Sequence, residues 1–127
     1  MAQLTDNQKA TMRKLFEENG LNEDDVFSHK HYVIIARSGI EKIQANNNID
    51  IRYEHIVIEP KFVVIKAYAT VNDKTIETYG EAHPDNCQNS YFVAMAEKRA
   101  LSRATLKCMN LYQMGVFGED ESDAFKR

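Results

Sequence analysis

The stretch SYFVAMAEKRALSRATLKCMNLYQMG, residues 90–115, decides the fold of this chain. It is the longest segment without proline or an internal glycine, and it is rich in Ala, Leu, Met, Lys and Arg. These residues lose little side-chain freedom in a helix. Ser90 is a favourable cap for the start, and Gly115 lies just beyond the expected end. The sequence therefore predicts one long helix here.

The predicted helix has two different faces. At 3.6 residues per turn, Arg99, Arg103 and Lys107 fall on one basic stripe, which Asn110 continues. A wide face of small and apolar residues lies beside it, made of Val93, Ala94, Ala100, Leu101, Ala104, Cys108 and Leu111. Because small side chains permit close packing, we expect this face to contact the core, with the basic stripe at its edge.

The composition is that of one globular domain. The chain has 127 residues, of which 43% are hydrophobic and 28% charged. It contains no apolar run long enough for a membrane span, and its N-terminus lacks the apolar core of a secretory signal. The two cysteines, Cys87 and Cys108, are too few for a disulfide framework and fit a reducing compartment. We therefore expect a cytoplasmic protein without a membrane partner.

Charge is distributed unevenly along the chain. The net charge is -3, whereas the segment 91–112 contains four basic side chains and one acidic one. Screening confines the field of such a cluster to about 8–10 Å at physiological salt, so a local basic stripe can bind phosphates on an acidic protein. The more common role of Lys and Arg on a helix is simply to solvate its outer face.

The first 48 residues predict two helices and a short strand. Residues 4–19 form the first helix, with Thr5 and Gln8 at capping-box spacing and Gly20 after its end. Its apolar stripe is narrow (Met12, Leu15, Phe16), so this helix is expected to lie at the periphery or on another subunit. Residues 21–30 are acidic and predict a loop, residues 31–35 a brief strand, and residues 38–47 a second helix.

Three strands follow. Residues 49–59 form the first, which Pro60 ends, and residues 62–71 alternate strictly between apolar and other side chains. Asn72 and Asp73 supply turn chemistry, so residues 75–82 return as the hairpin partner. The inward face of this last strand consists of small residues, among them Gly80, as close contact with a helix requires.

These elements predict an α+β domain: a small curved antiparallel sheet of three to four strands, with the long C-terminal helix packed across one face and shorter N-terminal helices. Within a single domain, residues 1–30 would be a peripheral helix and loop, residues 31–115 the core, and residues 116–127 an acidic tail. Because the chain stops without an obvious finishing element, we expect it to be the first domain of a longer protein.

The opposite face of the sheet carries interleaved aromatic and charged residues, namely Lys66, Tyr68, Thr70, Glu77 and Tyr79. Such a face can stack nucleic-acid bases. More often, residues of this kind form cross-strand pairs on a half-exposed surface.

Motifs for catalysis are lacking. His29 with His31, and His83 with Cys87, have ligand-like spacings, but neither pair makes a four-ligand metal set. Asp85 with Glu97 and Lys98 departs from the metal-dependent nuclease pattern, because Glu97 and Lys98 are adjacent and lie on a predicted helix. No nucleophile motif or phosphate-cradling glycine loop is present. We therefore expect no enzyme activity, metal, cofactor or small-molecule substrate.

Glu97 projects toward the middle of the apolar helix face, where an isolated charge is very costly. Arg37, Arg52 or a backbone amide are candidate partners. We expect Glu97, like Gly80, to have a structural role in seating the helix on the sheet.

The order of motifs resembles a known family. KFVVIKAYATV, a turn, ETYGEAHPDN and AMAEKRALSRA follow one another, after HYVIIARSGIEKIQANNNI. This succession is similar to the single-strand DNA annealing proteins of phages and mobile elements, of the Erf and Sak types, and more distantly to the ring-forming annealing recombinase of eukaryotes. The matched features are a strand opening with Lys-Phe, a Tyr-Gly pair closing the next strand, and an Ala-Glu-x-Arg-Ala element opening a basic helix, within residues 31–118.

The resemblance implies a β-β-β-α core that assembles into rings or filaments and anneals single-stranded DNA in homologous recombination without hydrolysing ATP. It implies that Lys98, Arg99, Arg103 and Lys107 contact phosphates, with Lys61 and Lys66 as further candidates. Two other classes stay open. One is a structural or interaction module whose basic helix meets an acidic partner, and the other is an enzyme using the loop at residues 83–89.

Overall fold

The computed structural model describes residues 5–28, 32–87, 90–111 and 114–121. Three helices and six strands lie in these ranges. The helices are α1 (Asp6–Glu18), α2 (Arg37–Asn46) and α3 (Phe92–Cys108), and the strands are β1 (Val26–Ser28), β2 (Val33–Ile35), β3 (Asp50–Glu59), β4 (Phe62–Val71), β5 (Lys74–Ala82) and β6 (Val116–Gly118). A 3-10 turn, Glu119–Glu121, follows β6. The predicted α+β class is confirmed.

The large sheet is antiparallel, in the order β3-β4-β5. Its second hairpin has the two-residue turn that the sequence predicted, because Val71 pairs with Lys74 and both Asn72 and Asp73 have positive φ. On β3 the register shifts between His55 and Val57, so Ile56 is an extra residue in a bulge. Helix α3 covers one face of this sheet, and the other face is left uncovered by described elements.

Small side chains let α3 lie close to the large sheet. Ala67 and Ala69 of β4 and Ala96, Ala100 and Ala104 of α3 are all completely buried in one cluster. At Gly80 the contact is closest, since a Cβ there would lie 2.0 Å from the carbonyl oxygen of Ala96. The opposite side of α3 packs through Leu101 and Leu106 on a second cluster of larger residues (Met12, Ile35, Ile40, Ile43, Leu111, Val116).

A second, small sheet was missed by the sequence analysis. Strand β1 pairs antiparallel with β2, and β6 pairs parallel with β2 on its other side. The predicted loop at 21–30 and the predicted acidic tail at 116–127 therefore each contain a strand. Three-residue strands carry too little periodicity to be seen in sequence, and they form here because Ile35 and Val116 are buried beside α3.

Helix α3 ends earlier than predicted. Its last residue is Cys108, and Asn110 adopts a left-handed conformation with φ 60°. The N–H of Leu111 donates to the carbonyl of Leu106 at 2.9 Å, and that of Asn110 donates to Lys107 at 3.1 Å. This is the Schellman arrangement, in which asparagine takes the position expected for Gly115. At the start of the helix, Val93 and Ala94 are exposed, so the predicted apolar face begins later.

Helix α1 begins as predicted, with a complete capping box between Thr5 and Gln8. Of its described side chains only Met12 is buried, and Leu15 and Phe16 pack partly on the second cluster. The helix is thus peripheral. None of the helices in the described ranges has the length and apolar character needed to cross a membrane.

The buried carboxylate of Asp25 joins α2 to the segment before β1. It accepts hydrogen bonds from the Ser38 hydroxyl, from Lys42 Nζ at 2.6 Å and from the backbone N–H of Asn22 at 3.0 Å. These donors, Lys42 first, lower the pKa of Asp25 from 3.8 to about 2. The acidic segment 21–30 is therefore partly structural.

Candidate nucleic-acid interface

Arg99 does not lie on an exposed stripe. Only 2% of the surface of Arg99 is exposed, and acceptors from three segments surround its guanidinium. Nε donates to the backbone carbonyl of Asp120 at 2.9 Å, and Nη1 donates to the carbonyl of Glu81 at 2.7 Å and to Asn86 Oδ1 at 2.9 Å. Nη2 donates to the backbone carbonyl of Asn86. Arg99 was predicted to contact phosphates, but in this structure its donors are used inside the domain.

Arg103 is held on the surface by a carboxylate. Its two Nη atoms each lie 2.9 Å from a carboxylate oxygen of Glu81, and Nη1 also donates to the carbonyl of Tyr79 at 2.6 Å. Burial raises the pKa of Glu81, but the hydrogen bonds and charge of Arg103 outweigh that effect and lower it overall. Arg103 is therefore a partly neutralised cation at the edge of the sheet.

Both arginines donate hydrogen bonds to backbone carbonyls at the open edge of β5. Among the described strands β5 pairs only with β4, and its first pair is Lys74 with Val71. The pair that flanks a two-residue turn is hydrogen-bonded, and hydrogen-bonded pairs alternate along an antiparallel ladder. The backbone N–H and C=O groups of residues 75, 77, 79 and 81 therefore point away from β4, toward the open edge. Arg103 and Arg99 bind the edge carbonyls of Tyr79 and Glu81 respectively, which protects this half of the strand from pairing with another chain.

The other half of β5 borders a groove. We call it the α3–β5 groove; it has a volume of about 820 Å³ and is lined by Lys74, Ile76, Glu77, Thr78, Tyr79, Arg103, Lys107 and Asn110. Three of these residues are cations, and the one acid, Glu77, forms an ion pair with Lys66. Among the described residues, neither Lys74 nor Lys107 forms an ion pair with a carboxylate, and both side chains are exposed.

Lys66 lies on the uncovered face of the large sheet, within an array of cross-strand pairs. Its ammonium pairs with Glu77 and lies 4.9 Å from the ring centroid of Tyr68 and 5.4 Å from that of Tyr79. The hydrogen bond with Glu77 raises the pKa of Lys66. Arg52 of β3 is the cross-strand partner of Tyr68 and lies 4.7 Å from the centroid of the Tyr68 ring. Lys66 is thus largely engaged within the sheet, as the cross-strand interpretation predicts.

Lys61 and Lys98 lie away from the groove. Lys61 is exposed in the turn between β3 and β4, which is the end of the sheet opposite to Lys74. Lys98 is half-buried on α3, close enough to Asp120 for its charge to lower the pKa of that carboxyl, although burial raises it overall. Of the six predicted contacts, only Arg103 and Lys107 are brought together.

Glu97 is half-buried near Arg37 and Tyr53. The pKa of Arg37 is raised mainly by the hydrogen bond that its Nε donates to Glu41, and the charge of Glu97 adds to this. The pKa of Tyr53 is raised mainly by burial, and again the charge of Glu97 adds to the effect. Arg52, the other predicted side-chain partner, points to the uncovered sheet face over Tyr68. The structural role of Gly80 follows from its contact with α3 described above.

The candidate metal ligands are divided between described and undescribed residues. His29 and His31 lie outside the described residues. His83 Nδ1 accepts from the N–H of Asp85 at 3.3 Å, and the His83 ring lies 6.2 Å from Phe62. No group of three or more ligating side chains suited to a metal ion occurs in the part of the chain that the structure describes.

One groove cation, Lys74, was missed by the sequence analysis. The hairpin prediction placed Lys74 next to the turn, but nothing in the sequence indicated that the end of α3 would lie beside it. A search for cations flanking a predicted edge strand would have found Lys74.

No protein-family model, curated protein or solved structure matches this chain. The resemblance to annealing proteins rests on the motifs quoted above and stays a prediction.

Proposed function

We propose that this chain binds single-stranded DNA along the α3–β5 groove and anneals complementary strands, without ATP, in phage or mobile-element recombination. The observation that supports this proposal is the groove itself: Lys74 and Lys107 are exposed beside an edge strand, next to Arg103, which is paired with Glu81. The one carboxylate in the groove lining, Glu77, is paired with Lys66. We place the activity in the cytoplasm.

The local charge is sufficient for phosphate binding although the chain is acidic overall. The exposed side chains of Lys74 and Lys107 line one groove. Lys74 is close enough to α3 for its charge to lower the pKa of Cys108, although burial raises that pKa overall. Each phosphate that a cation neutralises releases condensed counterions, which drives binding. Two contacts, from Lys74 and Lys107, predict a slope of about -1.4 for log affinity against log salt on a single strand.

Annealing follows from holding the backbone and leaving the base edges accessible. Phosphate contacts carry no sequence information, so one groove can accept many sequences. A strand held in an extended form loses less entropy when it pairs with its complement. Assembly of several copies into a ring or filament is part of this proposal, because it would align several grooves.

The binding test uses fluorescence anisotropy with labelled single-stranded and duplex oligonucleotides at about 50 and 200 mM salt. The double variant Lys74→Ala/Lys107→Ala removes two groove cations, and Lys9→Ala/Lys14→Ala removes two exposed cations from α1 as a matched control. We expect the groove variant to lose about tenfold or more in affinity for the single strand, because charged hydrogen bonds contribute about 1.5–3 kcal/mol each. The control should bind like the natural chain.

Annealing is measured separately, by energy transfer between labelled complementary strands without ATP, and assembly by light scattering with and without oligonucleotide. Absence of binding at the lower salt concentration, or an equal loss in the control variant, would contradict the proposal. Binding without faster annealing would show that the protein binds single strands but does not anneal them.

A second candidate is the non-catalytic interaction module, because the backbone of β5 near Thr75 and Glu77 faces the open edge. An extended acidic peptide could pair with this edge and meet the same cations. Hydrogen exchange distinguishes the two: a bound peptide strand should slow exchange of the Thr75 and Glu77 amides, whereas bound DNA should not.

A further inference from the structure

The open edge of β3 is unprotected, unlike that of β5. Among the described strands β3 pairs only with β4, so its other side is free of strand pairing. On β5 the arginines of α3 bind edge carbonyls, whereas within the described residues no side chain hydrogen-bonds the backbone of residues 51–58. Arg52, Glu54, His55 and Ile56 are all exposed. An edge of this kind is a template for pairing with another chain.

The ladder shows which backbone groups are available on this edge. Because the pair at Val71 and Lys74 is hydrogen-bonded, β4 bonds with β5 through its odd-numbered residues and with β3 through its even-numbered ones. Arg52 and Glu54 of β3 therefore direct their N–H and C=O groups to β4. The residues that direct these groups outward are Ile51, Tyr53 and His55. The register shift after His55 interrupts the pattern, so the regular edge extends over residues 51–55.

The charges beside this edge are complementary to themselves. Arg52 and Glu54 both lie on the uncovered face of the sheet near Tyr68, and neither forms an ion pair with a described residue. If two copies pair antiparallel about a two-fold axis at Tyr53, Arg52 of each copy lies opposite Glu54 of the other. An axis at residue 52 or at residue 54 would instead place like charges opposite each other, which is unfavourable. The charges therefore favour the register centred on Tyr53.

We propose that two copies of this chain pair through residues 51–55 of β3, antiparallel and centred on Tyr53. The outward backbone groups then form the hydrogen-bonded pairs, and Arg52 with Glu54 forms the closer, non-hydrogen-bonded pairs. The product is a six-stranded antiparallel sheet with both α3 helices on one face, because the two-fold axis is perpendicular to the sheet. A second copy is the partner, since the charge pattern of the edge is complementary to itself.

This inference goes beyond the proposed function and does not depend on it. The two β5 strands form the outer edges of the six-stranded sheet, separated by five interstrand spacings, or about 24 Å. The α3–β5 grooves lie outside the pairing surface, and the two-fold axis makes them run in opposite directions. Two DNA strands bound in these grooves would be antiparallel, which is the orientation of complementary strands.

Charge reversal tests the register. Analytical ultracentrifugation compares the natural chain, which we expect to dimerise, with Arg52→Glu, Glu54→Arg and the double variant Arg52→Glu/Glu54→Arg. Each single reversal places like charges opposite each other twice and should weaken self-association by about tenfold or more. The double variant restores opposite charges and should associate like the natural chain. Glu59→Arg is the matched control, because Glu59 is an exposed acid of β3 beyond the bulge, and it should also associate normally.

Two further measurements are independent of the double variant. An equimolar mixture of the two single reversals should form a mixed dimer, because one copy then has two acidic side chains at positions 52 and 54 and the other has two basic ones. In the natural chain, a higher protein concentration should slow hydrogen exchange of the Ile51, Tyr53 and His55 amides. The amides of Arg52 and Glu54 should not change, because they are already bonded to β4.

A natural chain that stays monomeric, or an association that both single reversals leave unchanged, would overturn the inference. A double variant that is folded by circular dichroism and yet fails to associate would do the same. None of these results bears on the α3–β5 groove, because single-strand binding is measured separately and neither Arg52 nor Glu54 lines that groove.

Discussion

The contact between α3 and β5 has two halves that differ in kind. Near the end of β5, Gly80 lets the helix backbone lie against the strand, and Arg99 and Arg103 bind the edge carbonyls. Near the start of β5, the helix and strand separate around a groove, and Lys74 and Lys107 remain exposed. We call these the closed half and the groove half.

The two halves share a basic helical stripe but use it differently. Arg99 and Lys107 are two helical turns apart, and the sequence assigns them the same face. Arg99 has buried carbonyls within reach, so it stabilises the fold, whereas Lys107 lies beside open solvent. The presence of acceptors within hydrogen-bond distance decides which cation remains available to a ligand.

The largest effect is expected from Arg99→Ala. This change removes the donors for the carbonyls of Asp120, Glu81 and Asn86, of which the first is buried and the other two are partly buried. Breaking a buried charged network of this kind costs about 3–5 kcal/mol in the free energy of unfolding. Urea unfolding followed by circular dichroism measures it. Arg99→Lys should also destabilise, because lysine lacks the planar fork. A loss below about 1 kcal/mol would show that the closed half does not depend on this residue.

Gly80→Ala tests the close approach itself. The added Cβ would meet backbone atoms of α3, at 2.0 Å from the Ala96 oxygen and 2.5 Å from the Ala100 nitrogen, so the helix must move. We expect a loss of about 3 kcal/mol, measured as above. Gly20→Ala is the control: nothing lies within 4 Å and only its φ of +70° is unfavourable, so about 1 kcal/mol should be lost. Equal losses of unfolding free energy in the two variants would argue against a close contact between Gly80 and α3.

The ion pair of Glu81 with Arg103 marks the boundary between the halves and should depend on pH. The pKa of Glu81 is lowered on folding, from a usual value of 4.5, so its stabilising effect is present above about pH 4.5 and is lost as the pH falls further. The effect is about 1 kcal/mol, as for other partly exposed pairs. The measurement is urea unfolding at about pH 6 and about pH 3 for the natural chain and Glu81→Gln. The stability difference between them should shrink at the lower pH, while the contribution of Asp25 cancels because both proteins contain it. A constant difference would show that Arg103 does not depend on this carboxylate.

The smallest effect on stability is expected from Lys107→Ala in the groove half. Since Lys107 is exposed and forms no ion pair with a described residue, unfolding free energy should change by less than about 0.5 kcal/mol. The salt slope for single-stranded DNA should nevertheless decrease by about 0.7, because one phosphate contact is lost. A destabilisation as large as that of Arg99→Ala would place Lys107 in the closed half.

Local patterns predicted the elements whose signals are local. The alternation in β4 gave its limits, and the capping box gave the start of α1. The turn at Asn72 and Asp73 has the left-handed geometry that these residue types favour. Strands β1 and β6 were missed, because each forms only when distant segments meet at β2. Glu119 shows the same limit: it was assigned to a tail, yet its carboxylate accepts from the N–H of Arg37 at 2.7 Å and caps α2.

The sequence alone determined that the chain is an α+β domain with a small-residue helix seated on an antiparallel hairpin sheet. Periodicity, turn residues and helix propensity act over a few residues, and they are sufficient for that conclusion. Tertiary structure decided which cations are exposed. Whether an arginine faces a carbonyl or the solvent depends on segments 13 to 24 residues away, such as Asp120 for Arg99 and Tyr79 for Arg103. Helical spacing contains no information about them.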